Sequence, residues 1–419
     1  MKTSSGYVGS SLFLALLMQI ASFSALPAHA EPSAKMMLKR MDANGDGQIS
    51  RDEWLARPAG FDMIDTNGDN ILSRQEIEAH FAGPKAVSRR EPVEWIDVHV
   101  HPNGKGMDPD WSGAVNMVRR AEEGSHMRKA ILMPTPQGYA TGAWVLEDFA
   151  TYAKRHPEQY ALMGGGGTLN TMIHEESSDG DVSDGLRARF RARAEEILDK
   201  GAIGFGEIAI LHVSLVDRHP YESVAGDHPL LLLLADIAAE HDVPIDIHFD
   251  PVVEDMKRPE WLSSSRNPPV LKRNIDGFEK LLEHNPRTKI VWAHLGSDNI
   301  GDWDLELTRS MLEKHPNLYM SMRMVIGRVG GHGKTGNHYP LGPGMIKPGW
   351  LQLFKDFPDR IVLGGDQFFA SNNTGGPATV FGKHAKTIRE HSEQLLSLLP
   401  EELAKKIGYE NAERIYRLR

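Results

Sequence analysis

His99 and His101, one residue apart in Glu94-Trp95-Ile96-Asp97-Val98-His99-Val100-His101-Pro102, are the first residues whose types and spacing could do chemistry. The run reads as a buried strand. Its side chains alternate, so His99, His101 and Asp97 share one face. Two imidazoles one pleat apart can hold a metal ion from a rigid strand end, with a carboxylate behind them. Two histidines on the solvent side of a strand explain this stretch equally well. Four later stretches shift the balance. Each carries a carboxylate or histidine at the end of an apolar run: Gly204-Phe205-Gly206-Glu207-Ile208, Pro244-Ile245-Asp246-Ile247-His248-Phe249-Asp250, Ile290-Val291-Trp292-Ala293-His294-Leu295-Gly296 and Ile361-Val362-Leu363-Gly364-Gly365-Asp366. Singly, Glu207 reads as a salt-bridged strand end, His248 as a core histidine and Asp366 as a helix N-cap. Five such coincidences in one strand order are much harder to dismiss.

The elements that must position these residues alternate along the chain. Strand-like runs fall near 94–100, 129–134, 160–164, 201–208, 243–249, 289–295, 317–322 and 360–366, with helical patterns between them. Such alternation implies parallel pairing, and eight units imply a closed barrel whose catalytic groups gather at the strand ends. An open doubly wound sheet is the alternative, but no glycine-rich dinucleotide fingerprint follows the first strand. The expected fold class is α/β, a (β/α)8 TIM barrel over 94–419, preceded by a small all-α unit at 31–82 and a linker at 83–93.

The small unit carries its own chemistry. Asp42 to Glu53 matches the twelve-residue EF-hand calcium loop position by position. Asp42, Asn44 and Asp46 offer side-chain oxygens, Gln48 a backbone carbonyl and Glu53 two closing oxygens, with Gly47 at the sharp turn. The second loop offers Asp65, Asn67, Asp69, the Ile71 carbonyl and Glu76, with Asn70 where glycine is expected; Asn tolerates the left-handed conformation. Asp/Asn/Gly runs also form plain turns, yet two complete loops in tandem make that reading improbable. Ile49 and Leu72 fall at the eighth positions, where paired loops join by a short backbone bridge. The region resembles an EF-hand pair binding two Ca2+ ions. Only 11 residues separate the loops, so the pair must be compact, and weak sites would serve as structural staples where calcium is plentiful.

The five barrel motifs, with the ending Tyr409 to Tyr416, resemble the amidohydrolase superfamily, more narrowly its amidohydrolase-related (amidohydrolase 2) branch, over about 94–418. The resemblance implies that His99 and His101 bind the more buried metal with Asp366 as a further ligand. In two-metal members Glu207 would bridge, and His248 and His294 would hold the second ion, as in TatD-like hydrolases. In one-metal members, such as those resembling aminocarboxymuconate-semialdehyde decarboxylase, His248 joins the first metal and His294 positions water or polarises the substrate. The presence of Glu207 favours two metals. Imidazoles with oxygens suit Zn2+, with Mn2+ next. A bound divalent ion lowers the pKa of its water toward roughly 7, and Asp366 is placed to take and return the proton. The implied reaction is hydrolysis of an amide, ester, lactone or phosphoester. Non-oxidative decarboxylation is the alternative, as is a calcium-binding protein with an inactive barrel.

Substrate choice belongs to the loops. The long segment 325–348 carries Arg328, His332, Lys334 and His338, and Arg323 on the seventh strand is the expected substrate-binding cation for an anionic group. The chain has 419 residues, a formal charge of −10 and no dense basic block, which argues against a nucleic-acid surface. Lys2, the apolar run from Ser11 to Ala25 and Ala28-His29-Ala30 form a cleavable signal peptide at 1–30, so a periplasmic or secreted address is expected. No later apolar stretch is long enough to span a bilayer. With no cysteine, disulfides and thiolate ligands are excluded. The expected partner is a small-molecule substrate, with no nucleic acid and no membrane; a homo-oligomer is left open.

Overall fold

The computed structural model describes residues 34–55, 61, 64–65, 69–81, 91–105, 108–138, 144–177, 181–217, 219–325, 339–342, 344–371 and 378–418. The expected signal peptide, most of the linker, Asn67, Arg328, His332, Lys334 and His338 lie outside the described residues.

Helices Ala34–Met41 and Arg74–Phe81 flank the two calcium loops, which are joined by the antiparallel pairs Ile49↔Leu72 and Ser50↔Ile71. Both eighth-position side chains are fully buried, with Leu38, Phe61, Ile64 and Ile77. Gly47 and Asn70, the sixth residues of the two loops, both adopt positive φ, 83° and 64°. Glu53 is drawn inward: its Oε2 accepts from the Ser50 amide and hydroxyl at 2.8 Å, and its Oε1 from the Ala43 and Asn44 amides. Glu76 repeats the contact with Ser73 at 2.9 and 2.7 Å.

Eight parallel strands follow: β1 Trp95–Asn103, β2 Met127–Leu132, β3 Tyr160–Leu162 with Gly164–Gly165, β4 Phe205–His212, β5 Pro244–Phe249, β6 Lys289–Leu295, β7 Leu318–Met322 and β8 Ile361–Leu363. The sheet runs β3-β2-β1-β8-β7-β6-β5-β4-β3. Its two ends are the two pieces of β3, separated by Met163 alone, so the sheet closes on itself. Closure leaves no edge strand within the barrel. After β8 the chain breaks at Gly364-Gly365-Asp366, and Gln367–Ala370 continues along the upper part of β1.

The helices form where an apolar stripe recurs at helical spacing. Ile275–His284 buries Ile275, Phe278, Leu281 and Leu282, three or four residues apart. Their starts are capped by Asp110, Ser183, His228 and Asp304, with Pro229 and Pro348 in first turns. The closing helix Asn411–Tyr416 packs Ala412, Ile415 and Tyr416 against Ile96, Val98, Ile131, Val291 and Val362. Asn411 fixes it to β8 by donating to the Pro358 and Ile361 carbonyls at 2.9 and 2.8 Å. Strand 4 starts and ends about four residues later than the sequence predicts. Residues 201–204 form the turn into it, and its end is extended by antiparallel pairing with Glu222–Ser223.

Candidate metal centre

Six residues from five strands converge at the C-terminal end of the barrel. His99 and His101 come from β1, Glu207 from β4, His248 from β5 and His294 from β6, while Asp366 follows β8. The ligand atoms of His99, His101 and Asp366 lie within 4.8 Å of one another, as do those of His99, Glu207 and His294. Glu207 stands between two groups. Its Oε2 lies 3.5 Å from His99 Nε2 and 3.3 Å from His101 Nε2. Its Oε1 lies 2.7 Å from His248 Nδ1 and 3.0 Å from His294 Nε2. Asp366 Oδ1 joins the first group, 3.3 Å from His101 Nε2.

The surroundings fix which nitrogen of each ring can bind an ion. His101 Nδ1 donates to the Met133 carbonyl at 3.0 Å, so its Nε2 presents a lone pair. His99 Nδ1 donates to the fully buried Asp246 carboxylate at 3.2 Å, leaving Nε2 as the acceptor there too. These two Nε2 atoms face each other at 3.0 Å, with Glu207 Oε2 beside them. Neutral rings so oriented place lone pairs against lone pairs, an arrangement that a cation relieves. The second group repeats the pattern: His248 Nε2 faces Asp250 Oδ2 at 3.3 Å, which turns Nδ1 toward Glu207 and toward His294 Nε2 at 3.0 Å. Imidazole and carboxylate donors braced by outer carboxylates fit a Zn2+ or Mn2+ site.

Protons can occupy these positions as well. Burial opposes charging of His99, His101 and His248, but Asp246, Glu207, Asp366 and Asp250 outweigh it. All three rings are raised, His248 to about 10. His294 is lowered, because burial dominates. Burial alone would raise Glu207 and Asp366. The surrounding imidazoles hold Glu207 well below the ordinary carboxylate range, and Arg323 with His294 and His101 does the same for Asp366.

The backbone is shaped for this convergence. His294 and Asp366 both adopt positive φ, 74° and 48°. Left-handed conformations cost non-glycine residues about 1–3 kcal/mol and cluster at functional sites. Gly364 passes so close to β1 and β7 that an added Cβ would clash with Ser321 Oγ and press on His99 Cβ. Asp97 is not the carboxylate behind His99 that the strand pattern predicts. It accepts from the Gly365 and His99 amides and the Gln367 side chain, and so holds the turn that carries Asp366. The carboxylate behind His99 is Asp246. It shares the interior face of β5 with His248 and Asp250, a relation legible in the alternation Ile245-Asp246-Ile247-His248 but assigned no role from sequence.

Arg323, expected to bind substrate, has its NH2 3.1 Å from Asp366 Oδ2 and its NH1 3.5 Å from Ser297 Oγ. His212 was missed altogether because strand 4 was expected to end earlier; its ring lies 4.4 Å from that of His248.

The model of the amidohydrolase family matches residues 96–418, and that of the EF hand matches 35–56 and 59–82. No curated protein matches the chain. Among solved structures, similar ones include a dihydroorotase from Campylobacter jejuni (15% identity, TM-score 0.43, covering 78% of this chain and 85% of that one). A phosphotriesterase homology protein from Escherichia coli, complexed with phosphate in its active site, has 11% identity and a TM-score of 0.45, covering 78% of this chain and 100% of that one. A dihydroxybenzoic acid decarboxylase from Polaromonas with bound manganese has 14% identity and a TM-score of 0.42, with 78% and 97% covered.

Proposed function

The chain belongs to the amidohydrolase family, and from that membership and the site geometry we propose that it is a metal-dependent hydrolase of amides, esters, lactones or phosphoesters. The observation that carries this reading is Glu207, whose two oxygens face separate imidazole pairs, His99 with His101 and His248 with His294. That is the donor set for two ions sharing one carboxylate. His99, His101 and Asp366 would hold one, His248 and His294 the other, with Zn2+ the expected metal and Mn2+ the next. Divalent ions bound there supply water that ionises near neutral pH and positive charge for a developing oxyanion.

The protein's own groups do the rest. Asp366 is the general base and later the acid at the leaving group. Arg323 keeps it ionised, so it carries no proton at neutral pH. His294 presents Nδ1, which is buried with no hydrogen-bond partner among the described residues and lies 3.9 Å from Asp366 Oδ2. It is placed to steady the substrate oxygen beside that carboxylate.

The test is elemental analysis of purified protein dialysed against a weak chelator, combined with hydrolysis of generic ester and lactone substrates. About two transition-metal ions per chain and activity abolished by His99→Ala are expected. About one ion would demote Glu207 to a structural role and favour decarboxylation. No ion, with no uptake of added Zn2+ or Mn2+, would overturn the enzyme reading. The same proposal includes two Ca2+ ions in the EF-hand pair and export through residues 1–30. Export is checked by finding Glu31 as the mature N-terminus in a periplasmic or secreted fraction.

A further inference from the structure

Beyond Glu207, β4 continues for five more residues, to His212. Leu211 pairs with Phe249 of β5. The next residues, His212 and Asp250, therefore turn to the opposite face, the one that carries His248. The ring contact between His212 and His248 agrees, with centroids 4.4 Å apart. On its other side His212 is paired with Glu222 of the short antiparallel strand Glu222–Ser223. Residues directly opposite in an antiparallel pair project to the same face, so Glu222 stands on the metal-centre side as well.

Glu222 is 7% exposed and held in place: Oε1 accepts from Asn170 Nδ2 at 3.3 Å, and Asn170 Oδ1 in turn accepts from the Ala209 amide at 2.8 Å. Its other oxygen, Oε2, is buried with no hydrogen-bond partner among the described residues, and so is His212 Nδ1. Leaving a buried polar atom unpaired costs about 1–3 kcal/mol. Two such atoms on paired residues of one face, one of them on the ring that packs against His248, are what a site looks like when its ligand completes the bonding.

We propose that His212 and Glu222 form a specificity subsite that receives an uncharged hydrogen-bonding group of the substrate, a carboxamide or hydroxyl, beside the metal centre. The inference rests on the hydrolase reading for its substrate but not for its binding chemistry. The uncharged class follows from the surroundings. Glu222 is held by a neutral amide, with no lysine or arginine paired to it among the described residues, and burial pushes its carboxyl up to about 8, which favours the acid, an O–H donor with an acceptor oxygen beside it. A carboxamide can accept from Glu222 and donate to His212 at once.

Two measurements test this on the zinc-loaded full chain. The first is saturation-transfer NMR with butyramide, butyrate and butylammonium. Butyramide binding should weaken about tenfold, the value of one ordinary hydrogen bond, in both Glu222→Leu and His212→Phe. Glu222→Gln, which preserves a neutral donor and the Asn170 contact, should retain most of it. Unchanged butyramide binding in the folded Leu and Phe variants would overturn the subsite. Loss in Glu222→Gln as complete as in Glu222→Leu, or Glu222-dependent binding of butylammonium, would overturn the uncharged class. The second compares hydrolysis of p-nitrophenyl succinamate with its near-isostere p-nitrophenyl 4-methylpentanoate. A preference in kcat/KM for the succinamate that disappears in the variants supports the subsite. Equal rates in all proteins would count against it. No hydrolysis of either ester, with Glu222-dependent butyramide binding intact, would count against ester hydrolysis at this site and leave the subsite standing.

Discussion

Asp246 never touches the substrate in the proposed scheme, yet it determines which nitrogen His99 offers. Replacing it by Asn keeps the shape but weakens the brace, and outer-shell changes of this kind lower metal affinity by about 10–100-fold. Asp246→Asn is therefore expected to release zinc to a competing chelator at correspondingly lower chelator concentration. The raised rings give a second prediction. In the ion-free protein burial opposes charge on His99, His101 and His248, but the carboxylates around them raise all three, His248 to about 10. Metal loading must then expel protons, so apparent affinity rises with pH across the neutral range. Calorimetry in buffers of different ionisation enthalpy should show net proton release on metal binding at pH 7; none would contradict the raised rings. The six residues that converge could be picked out from sequence because they lie at or near the ends of apolar runs. The outer shell could not: choosing between Asp97 and Asp246 as the partner of His99 requires the lateral order of β1, β8 and β5, which no single strand contains.

At the scale of elements, helices Leu146–Ala153 and Asp184–Asp199 are tied by Glu147, which accepts from Arg193 at 2.8 and 3.1 Å and from Lys200 at 2.7 Å. Burial opposes the charge, but these two cations bring the Glu147 carboxyl down to about 2. A depressed carboxylate contributes stability above its unfolded value of 4.5 and loses it as pH falls through about 2. Because the side chain is one-third exposed, solvent screening reduces the effect to about 1 kcal/mol. Glu147→Gln should lower stability by about that amount at pH 7 in urea unfolding, and the difference should vanish near pH 2. The barrel strands were legible as apolar runs, and their parallel order as alternation with helices. Their ends were less so. The extension of β4 to His212 depends on Glu222–Ser223, ten residues on, arriving to pair with it. The short helix Leu169–His174, which carries Asn170, lies between β3 and β4, outside the strand-like runs read from sequence.

For the whole molecule, the calcium-loop pair was the most legible part, because ligand order and the left-handed sixth residue are properties of twelve consecutive positions. Saturating Ca2+ should raise the first unfolding transition by several degrees, as expected for ions that bind only the folded state. The Glu53→Gln/Glu76→Gln double variant should lose that response. The barrel centre is built on the opposite principle. Asp366 reaches His99 only when β8 lies against β1, and its amide then donates to the His99 carbonyl at 2.9 Å. The first and last ligands are thus neighbours in space and nearly the whole barrel apart in sequence. A chain cut short before residue 366 carries His99, His101, Glu207, His248 and His294 but lacks Asp366 and the turn that sets it against His99. Completion of the six-residue cluster is thereby expected late in synthesis, after β8 has been made and seated against β1.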